Sequence, residues 1–300
     1  MTAIRLQVRH QTAYTYPDPV ELGAHMLHLC PRTLPSQLVQ AFTVHAGPGG
    51  APRLSHGTDH FGNAISWLFL TGLHGALTIE SRAVVDVLPR VIPAPDSTPA
   101  WERVVAEAAG LAVAEFTFAS PRVRLLRLAK DWARPSFLPG RPVLVGVLHL
   151  MHRFTDEFRF DPAVTTVSTS VARVFELRAG VCQDFAHAMI AGLRALGLPA
   201  RYVSGYLRTV PPPGEARLVG ADQSHAWVSV WLGTAHGWVD VDPTNALVVQ
   251  QGHVVLGWGR DYSDVSPVRG VLLGGGEHTL HVSVDIAPAE AEAVPAAMLG

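Results

Sequence analysis

The stretch GVCQDFAHAMIAGLRALGLPARYVSGYL, residues 180–207, decides the fold of the second half of the chain. From 185 to 196 its apolar residues recur three and four positions apart, which is typical of one face of an amphipathic helix. Gly197 and Pro199 then form a helix stop, and the residues after them alternate as in a strand. We therefore predict a buried helix that begins at Cys182 and leads into a strand.

A thiol at the start of a helix faces unpaired backbone N–H groups, which carry a partial positive charge. This position favours the thiolate form of Cys182, and the same N–H groups can stabilise an oxyanion. Gly180, which has no side chain, is expected to let a substrate backbone approach the sulfur. A lone cysteine is more often a small buried residue. The assignment of Cys182 as a nucleophile therefore depends on residues elsewhere in the chain.

Two further polar residues of this helix have structural interpretations. His187 follows Cys182 by five positions, so it lies well around the helix axis from the thiol and is expected to form a hydrogen bond in the core. Asp184, in the first turn, is expected to cap free N–H groups there. Neither residue is predicted to act as the base.

Two alternating segments downstream, SHAWVSVWL at 224–232 and GWVDVDPTN at 237–245, predict the strands of a β-hairpin. His225 lies on one face of the first strand, and Asp240 and Asp242 share a face of the second. One register brings these faces together, so that an acid lies beside the histidine. A slip of one residue would separate them, which makes the register a test of the prediction.

Thiol catalysis needs a nucleophile, a base and an acceptor that orients the base. Cys182, His225 and one of the two aspartates can supply these roles. The residues leave both Asp240 and Asp242 open. Asp242 is favoured because Pro243 ends the strand, which places the preceding residue at a mouth rather than in the middle of the sheet.

The composition limits the classes of partner. The chain has 300 residues, of which 48% are hydrophobic and 16% charged, and its formal net charge of -2 provides no basic surface for nucleic acid. The two cysteines, Cys30 and Cys182, exclude a disulfide framework. The N-terminal residues alternate as a strand rather than a signal peptide, and no apolar run approaches the roughly 18 residues of a membrane span. We expect a soluble cytoplasmic protein with no nucleic-acid or membrane partner.

The 15 histidines raise the question of a metal site. The sequence contains no HExxH and no CxxC motif. We therefore expect neither a metal ion nor another cofactor.

The period of the hydrophobic pattern divides the chain. Short alternating runs predict a β-rich N-terminal domain over 1–92, and the proline-rich segment VIPAPDSTPA at 91–100 predicts a linker. Helical spacing dominates from about 121 to 196, and alternation returns afterwards. The prediction is an α+β fold, with a catalytic core over 100–300 that includes the closing C-terminal strands.

The motifs GVCQDFAH, RYVSGYL, SHAWVSVW and GWVDVDPTN together resemble the core of the bacterial transglutaminase-like proteins that carry a dedicated N-terminal domain. The likeness extends to YTYPDPVELGAHMLHLCPR, DHFGN and the segment from GRDYSDVSPVRG onward. It implies Cys182, His225 and Asp242 as the catalytic trio, with Asp240 as a neighbour, on a papain-like core of a thiol-bearing helix packed on an antiparallel sheet. Cys30 departs from the pattern, since a basic residue is expected there.

Together, the residues and the resemblance predict thiol-mediated acyl transfer on a peptide or protein substrate through a thioester acyl-enzyme. Protease or amidase activity is favoured over crosslinking of protein glutamine to amines, because the sequence indicates no amine site and no calcium loop. A non-enzymatic peptide-binding scaffold is the alternative from another class. The resemblance also suggests companion ATP-dependent ligase-like proteins. The proline-rich loop 209–223 is expected either to cover the site or to be a plain connector.

Overall fold

The structure is a computed structural model, and it describes residues 2–47, 52–209 and 223–289. Its N-terminal part is built on two 24-residue antiparallel strands, β1 (Ile4–Leu27) and β4 (Ala64–Val87), with β2 (Gln37–Gly47) and β3 (Arg53–Thr58) paired to β4. The β-rich prediction is confirmed, but these strands are longer than the short runs expected. Glycines in β4 suggest turns from sequence alone, but they lie within a continuous strand. Pairing with β1 before and after these glycines keeps the backbone extended.

The middle of the chain is helical, as predicted. The helices are α1 (Trp101–Ala108), α2 (Arg127–Ala133), α3 (Val143–Glu157), α4 (Val171–Leu177) and α5 (Cys182–Ala195). Two short strands, β5 (Arg159–Phe160) and β6 (Ala179–Gly180), pair in parallel just before α5. No helix within the described ranges has the length and apolar character needed to cross a membrane.

A five-stranded antiparallel sheet follows, in the order β10-β9-β8-β7-β11. Its strands are β7 (Ala200–Leu207), β8 (Gln223–Trp231), β9 (Trp238–Asp242), β10 (Leu247–Val248) and β11 (His253–Gly259). The apolar face of α5, including Met189 and Ile190, shares one buried cluster with Tyr202 and Val228 of this sheet. The predicted α+β class and the helix packed on an antiparallel sheet are both confirmed.

After α6 (Tyr262–Val265) the chain leaves this sheet, which corrects one expectation. The closing strands β12 (Val268–Gly274) and β13 (Thr279–Pro288) were assigned to the catalytic core, but both pair antiparallel with β1 in the N-terminal sheet. The reason is that β4 covers only one edge of β1, and the other edge needs hydrogen-bonding partners. The domain boundary near 92–100 stays a prediction, and most of the tail expected to be frayed, from 290 onward, lies outside the described residues.

The two sheets are joined by a buried apolar cluster. Tyr206 and Val254 of the five-stranded sheet pack with Leu6, Val85 and Ile286 of the N-terminal sheet, and all five side chains are buried. Burial of this apolar surface stabilises the contact between the sheets. It also holds the N-terminal sheet in a fixed position beside strand β7, which runs next to the strand that carries His225.

Candidate active site

Cys182 begins α5, as predicted, and its side chain is half-buried. The start of the helix is held by Asp184, whose carboxylate accepts hydrogen bonds from the backbone N–H of Val181 at 2.9 Å and the hydroxyl of Thr165 at 2.6 Å. The predicted capping role of Asp184 is therefore confirmed. Burial raises the pKa of this carboxyl, although the two hydrogen bonds act in the opposite direction.

Gly180 has a different role from the one expected. It is buried, and a Cβ atom built on it would lie 2.7 Å from the Asp184 carboxylate oxygen Oδ2. The missing side chain therefore makes room for the helix cap rather than for a substrate backbone.

His225 lies on β8, with its ring between the thiol and an acid. Its Nε2 atom is 2.7 Å from Oδ2 of Asp242, and its side chain also hydrogen-bonds Cys182. Since Nε2 is occupied by the carboxylate, Nδ1 is the ring nitrogen left to face the sulfur. The hairpin register that brings the polar faces together is the observed one, with Ser229 opposite Asp240. The structure thus unites Cys182, His225 and Asp242.

Asp242 is fully buried, and both of its oxygens are hydrogen-bonded. Oδ1 accepts from the backbone N–H groups of Thr244 at 2.9 Å and Asn245 at 3.3 Å, which forms the turn that ends β9. Oδ2 accepts from His225, from the Asn245 side chain at 2.7 Å and from His253 Nε2 at 3.2 Å. The carboxylate is therefore fixed by its own turn before it orients the histidine.

The alternative acid, Asp240, has other partners. Its Oδ2 atom accepts hydrogen bonds from Arg90 at 2.6 Å and from the indole of Trp227 at 3.2 Å. Asp240 shares the polar face, as predicted, but it binds the segment after β4 to the hairpin. The geometry favours Asp242 as the partner of His225.

The charges of the site follow from these contacts. Burial alone would lower the pKa of His225, but hydrogen bonds and charge interactions with Asp242 and Cys182 outweigh it and raise the pKa to about 10. Burial would raise the pKa of Asp242, yet the hydrogen bonds from His225, His253 and Asn245 hold it below its usual range. Burial lowers the pKa of His253 despite its contact with Asp242. Near neutral pH the site therefore holds an imidazolium, a carboxylate and a neutral second histidine.

His225, Asp242 and His253 also form the one group among the described residues whose side chains could hold a metal ion, with ligand atoms within 4.8 Å of one another. Both histidines, however, direct Nε2 to the same carboxylate oxygen, and Asn245 donates to that oxygen as well. A metal there would take His225 away from the thiol. The arrangement fits a hydrogen-bond cluster better than a metal centre, and the expected absence of a metal stays a prediction.

Other residues considered from the sequence lie as follows. His187 is buried, accepts a hydrogen bond from the Tyr262 backbone N–H at 3.2 Å, and has its pKa lowered to about 4 by burial, so its predicted core role is confirmed. Tyr262 lines the cleft beside the thiol. Trp258 packs against the guanidinium groups of Arg32 and Arg201, each 3.7 Å from its ring centroid. Most of the loop 209–223, from 210 to 222, lies outside the described residues.

Sequence reasoning missed His253 and Asn245. Asn245 follows Asp242 by three positions at the end of its strand, where an Asp commonly forms a turn with the following backbone, so its proximity had a local signal. His253 comes from the edge strand β11, separated from β8 by β7. Only the strand order brings it to the site, and that order has no local signature.

Two known families match different parts of the chain. Residues 133–243 match the family described as the transglutaminase-like superfamily, and residues 6–86 match the bacterial transglutaminase-like N-terminal region. An uncharacterized protein of Mycobacterium tuberculosis is 41% identical over 302 residues, covering 97% of this chain and 95% of that protein.

Two further proteins are similar over different lengths. A protein-glutamine gamma-glutamyltransferase of Pseudomonas aeruginosa is 36% identical over 142 residues, covering 44% of this chain but only 20% of that protein. A solved structure from Cytophaga hutchinsonii, described as a candidate cysteine protease, has a TM-score of 0.77 at 22% identity and covers 98% of this chain and 94% of its own. That structure shows the same fold. The chain therefore belongs to the transglutaminase-like superfamily of cysteine-dependent enzymes and carries the N-terminal region of its bacterial members.

Proposed function

We propose that the protein is a cysteine-dependent acyl-transfer enzyme that cleaves a peptide or side-chain amide bond, with Cys182 as nucleophile, His225 as base and acid, and Asp242 as the orienting group. The observation that carries the proposal is the position of the His225 ring, which bonds Asp242 at 2.7 Å and interacts with Cys182 in the same cleft. A histidine held in this way can exchange a proton with the sulfur without reorienting.

The proposed reaction has two stages, acylation of Cys182 and hydrolysis of the thioester. The Cys182 thiolate attacks the amide carbonyl carbon, and the backbone N–H groups at the start of α5 stabilise the resulting oxyanion. The C–N bond then breaks, the leaving amine takes the proton of the His225 imidazolium, and a thioester remains on the sulfur. Water then attacks the thioester carbon while His225 accepts its proton. The C–S bond breaks, which releases the carboxylic acid and restores the Cys182 thiolate and the His225 imidazolium. Asp242 keeps its negative charge throughout and stabilises the imidazolium.

Transfer of the acyl group to an amine is the second candidate. It is favoured by one observation, the similarity of part of this chain to a protein named for protein-glutamine gamma-glutamyl transfer. Hydrolysis is preferred because water reaches any open cleft, whereas transfer requires a site that binds an amine or excludes water. A peptide-binding scaffold without catalysis is disfavoured because it has no use for a complete Cys-His-Asp arrangement.

Acyl-enzyme trapping tests the proposal. The protein is mixed with a peptide library, quenched in acid and digested, and mass spectrometry locates any acyl adduct. We expect an adduct on Cys182 in the wild type and none in Cys182→Ala, with Cys30 unmodified as the internal control. Burial raises the pKa of the Cys30 thiol to about 11, so this second cysteine should react poorly.

The same trapping experiment separates the two candidates. With a primary amine added, the product is a free acid for hydrolysis and an amide for transfer. No adduct on Cys182, together with unchanged turnover in Cys182→Ala, would refute the enzyme proposal. A cytoplasmic location and a companion ligase-like protein remain predictions from the sequence.

A further inference from the structure

The cleft beside Cys182 has a second wall that does not belong to the catalytic sheet. The cavity has a volume of about 330 Å³, and the helix and sheet of the core supply one side of it. Residues from the N-terminal sheet and its closing strands supply the other side: His10, Thr12, Tyr14, Pro267, Val268, Leu280 and Val282. The residues that face the nucleophile therefore come in part from a region with no predicted role.

This wall is a regular strand surface. Thr12 lies directly opposite Val282, and Tyr14 directly opposite Leu280, on the antiparallel pair β1 and β13. Positions two apart on a strand face the same side, so the two rungs present one continuous face to the cleft. Leu280 and Val282 are 54% and 43% exposed, although both are apolar. They are free to bury surface against a bound group.

The wall is also fixed in place. His10, one rung further along β1, uses both ring nitrogens: Nδ1 bonds the Tyr206 hydroxyl at 2.9 Å and Nε2 bonds the Thr12 hydroxyl at 2.8 Å. Tyr206 is a buried residue of β7, two positions from Ser204, which lines the opposite side of the cleft. A hydrogen-bond chain therefore ties the wall to the catalytic sheet. Such a wall is built in advance of binding.

The described part of the lining carries no fixed charge apart from the reacting pair. The described residues around the cavity include no Asp, Glu, Lys or Arg. Burial lowers the pKa of His10 to about 4, and burial raises that of Tyr14 to about 12, so both are neutral near neutral pH. A charged group bound against this wall would lose hydration without gaining a partner there.

We propose that the wall formed by Thr12, Tyr14, Leu280 and Val282 selects an uncharged, apolar or aromatic group beside Cys182. In the proposed reaction, on which this second role rests, the selected group is the side chain of the acyl donor next to the cleaved bond. The cavity is at the lower end of the range of about 300–1,000 Å³ typical of ligand sites, which suits one or two side chains rather than a folded domain. The N-terminal sheet is then part of the specificity site.

A first experiment measures selection without catalysis. Three thiol reagents of one chemical class, the benzyl, trimethylammonium-ethyl and sulfonate-ethyl methanethiosulfonates, form a disulfide with Cys182 and release methanesulfinate. Their rates are measured by mass spectrometry and divided by their rates with free cysteine. We expect the benzyl reagent to be favoured over the cationic one by at least about tenfold, the scale on which apolar pockets discriminate.

The test variant is Val282→Asp, and the matched control is Val271→Asp. Val271 is also an exposed valine on a strand paired with β1, but it does not line the cleft. We expect Val282→Asp to remove the benzyl preference and to raise the relative rate of the cationic reagent, while Val271→Asp behaves as wild type. Equal behaviour of the two variants, or no benzyl preference in the wild type, would overturn the inference.

A second experiment uses peptides that differ only at the residue donating the acyl group, with Phe, Leu, Gln, Glu or Lys in that position. Wild type is expected to favour Phe and Leu through KM, and Val282→Asp to shift the preference toward Lys. If the reagents show the benzyl preference but no peptide forms an adduct, the proposed function fails and the selectivity of the cleft stands. If peptides react without regard to charge at that position, the selectivity fails and the function stands.

Discussion

Replacing Asp242 with Asn tests how the site sets the state of its histidine. Oδ1 of Asp242 accepts two backbone N–H groups of the following turn, so an asparagine would keep its oxygen there and place its amide nitrogen at the Oδ2 position. That nitrogen would donate to Nε2 of His225, which forces the ring proton onto Nδ1. A neutral ring with its proton on Nδ1 cannot accept the proton of Cys182.

The expected magnitude follows from the histidine. Its pKa rises from 6.5 to about 10, which at about 1.4 kcal/mol per pKa unit is a preference of roughly 5 kcal/mol for the imidazolium. Asp242 and Cys182 share this preference. Loss of the aspartate charge should therefore remove a few kcal/mol and lower turnover by about 10²–10³-fold.

Iodoacetamide labelling of Cys182 against pH measures this effect without a substrate. In the wild type, the imidazolium persists until the pH approaches 10. Because a neighbouring imidazolium favours the reactive form of a cysteine, labelling at pH 6.5 should be faster than that of a free thiol. A free thiol ionises near pH 8.5 and is only about 1% thiolate at pH 6.5. We expect labelling of Asp242→Asn at that pH to fall by up to about 100-fold and to approach the wild-type rate only above about pH 9.

Asp59→Asn is the matched control. Like Asp242, Asp59 accepts hydrogen bonds from two backbone N–H groups with Oδ1. Its Oδ2 accepts from the Asn63 side chain and from the buried His28 at 3.2 Å. Among the described residues, no cysteine is a hydrogen-bond partner of His28 or Asp59. Its labelling profile should match wild type. A wild-type profile in Asp242→Asn would refute the reasoning, as would an equal loss in Asp59→Asn with the fold intact by circular dichroism.

Three further outcomes are expected. His253→Phe removes one hydrogen bond from Asp242 and should lower turnover by about 10–100-fold, whereas His253→Gln, which keeps a donor, should restore most of it; equal defects would exclude a positioning role. Gly205→Ala would drive its Cβ into the ring of Trp227 and a neighbouring carbonyl, and urea unfolding should show a loss of about 1–3 kcal/mol. The pKa of His225 is higher in the folded state than in the unfolded state, so its contribution to the free energy of unfolding is complete below about pH 6.5 and is lost as the pH rises through 10. This decline of stability with pH should be absent in His225→Gln.

The proximity of the proposed trio could be predicted because each member has a local signal. The helical spacing after Cys182 fixes where the helix begins, and the strict alternation of the two hairpin strands places His225 and Asp242 on one face. Asp240 lies on the same face, so the residues alone left two candidate partners for His225. The hydrogen bond between Asp240 and Arg90 distinguishes them.

Features that join distant parts of the chain could not be predicted in the same way. The pairing of β13 with β1 and the bond from Tyr206 to His10 connect segments far apart in sequence, and neither leaves a repeat or a spacing. Short alternating runs were predicted where the structure has two long strands, because the sequence does not show the partner strand that keeps the residues between those runs extended. Gly180 was assigned to the substrate for a similar reason, since its neighbour Asp184 becomes visible only in three dimensions.

The return of the chain to β1 affects the order in which the molecule is assembled. Leu6 pairs with Pro288, so contacts between residues far apart in sequence form only after β13 has been synthesised. Contacts of this kind form slowly during folding. During synthesis the helix and hairpin that carry the trio emerge before Leu280 and Val282. A nascent chain can thus bring thiol, imidazole and carboxylate together while one wall of the cleft is incomplete. Selectivity would be acquired last, when the late strands dock.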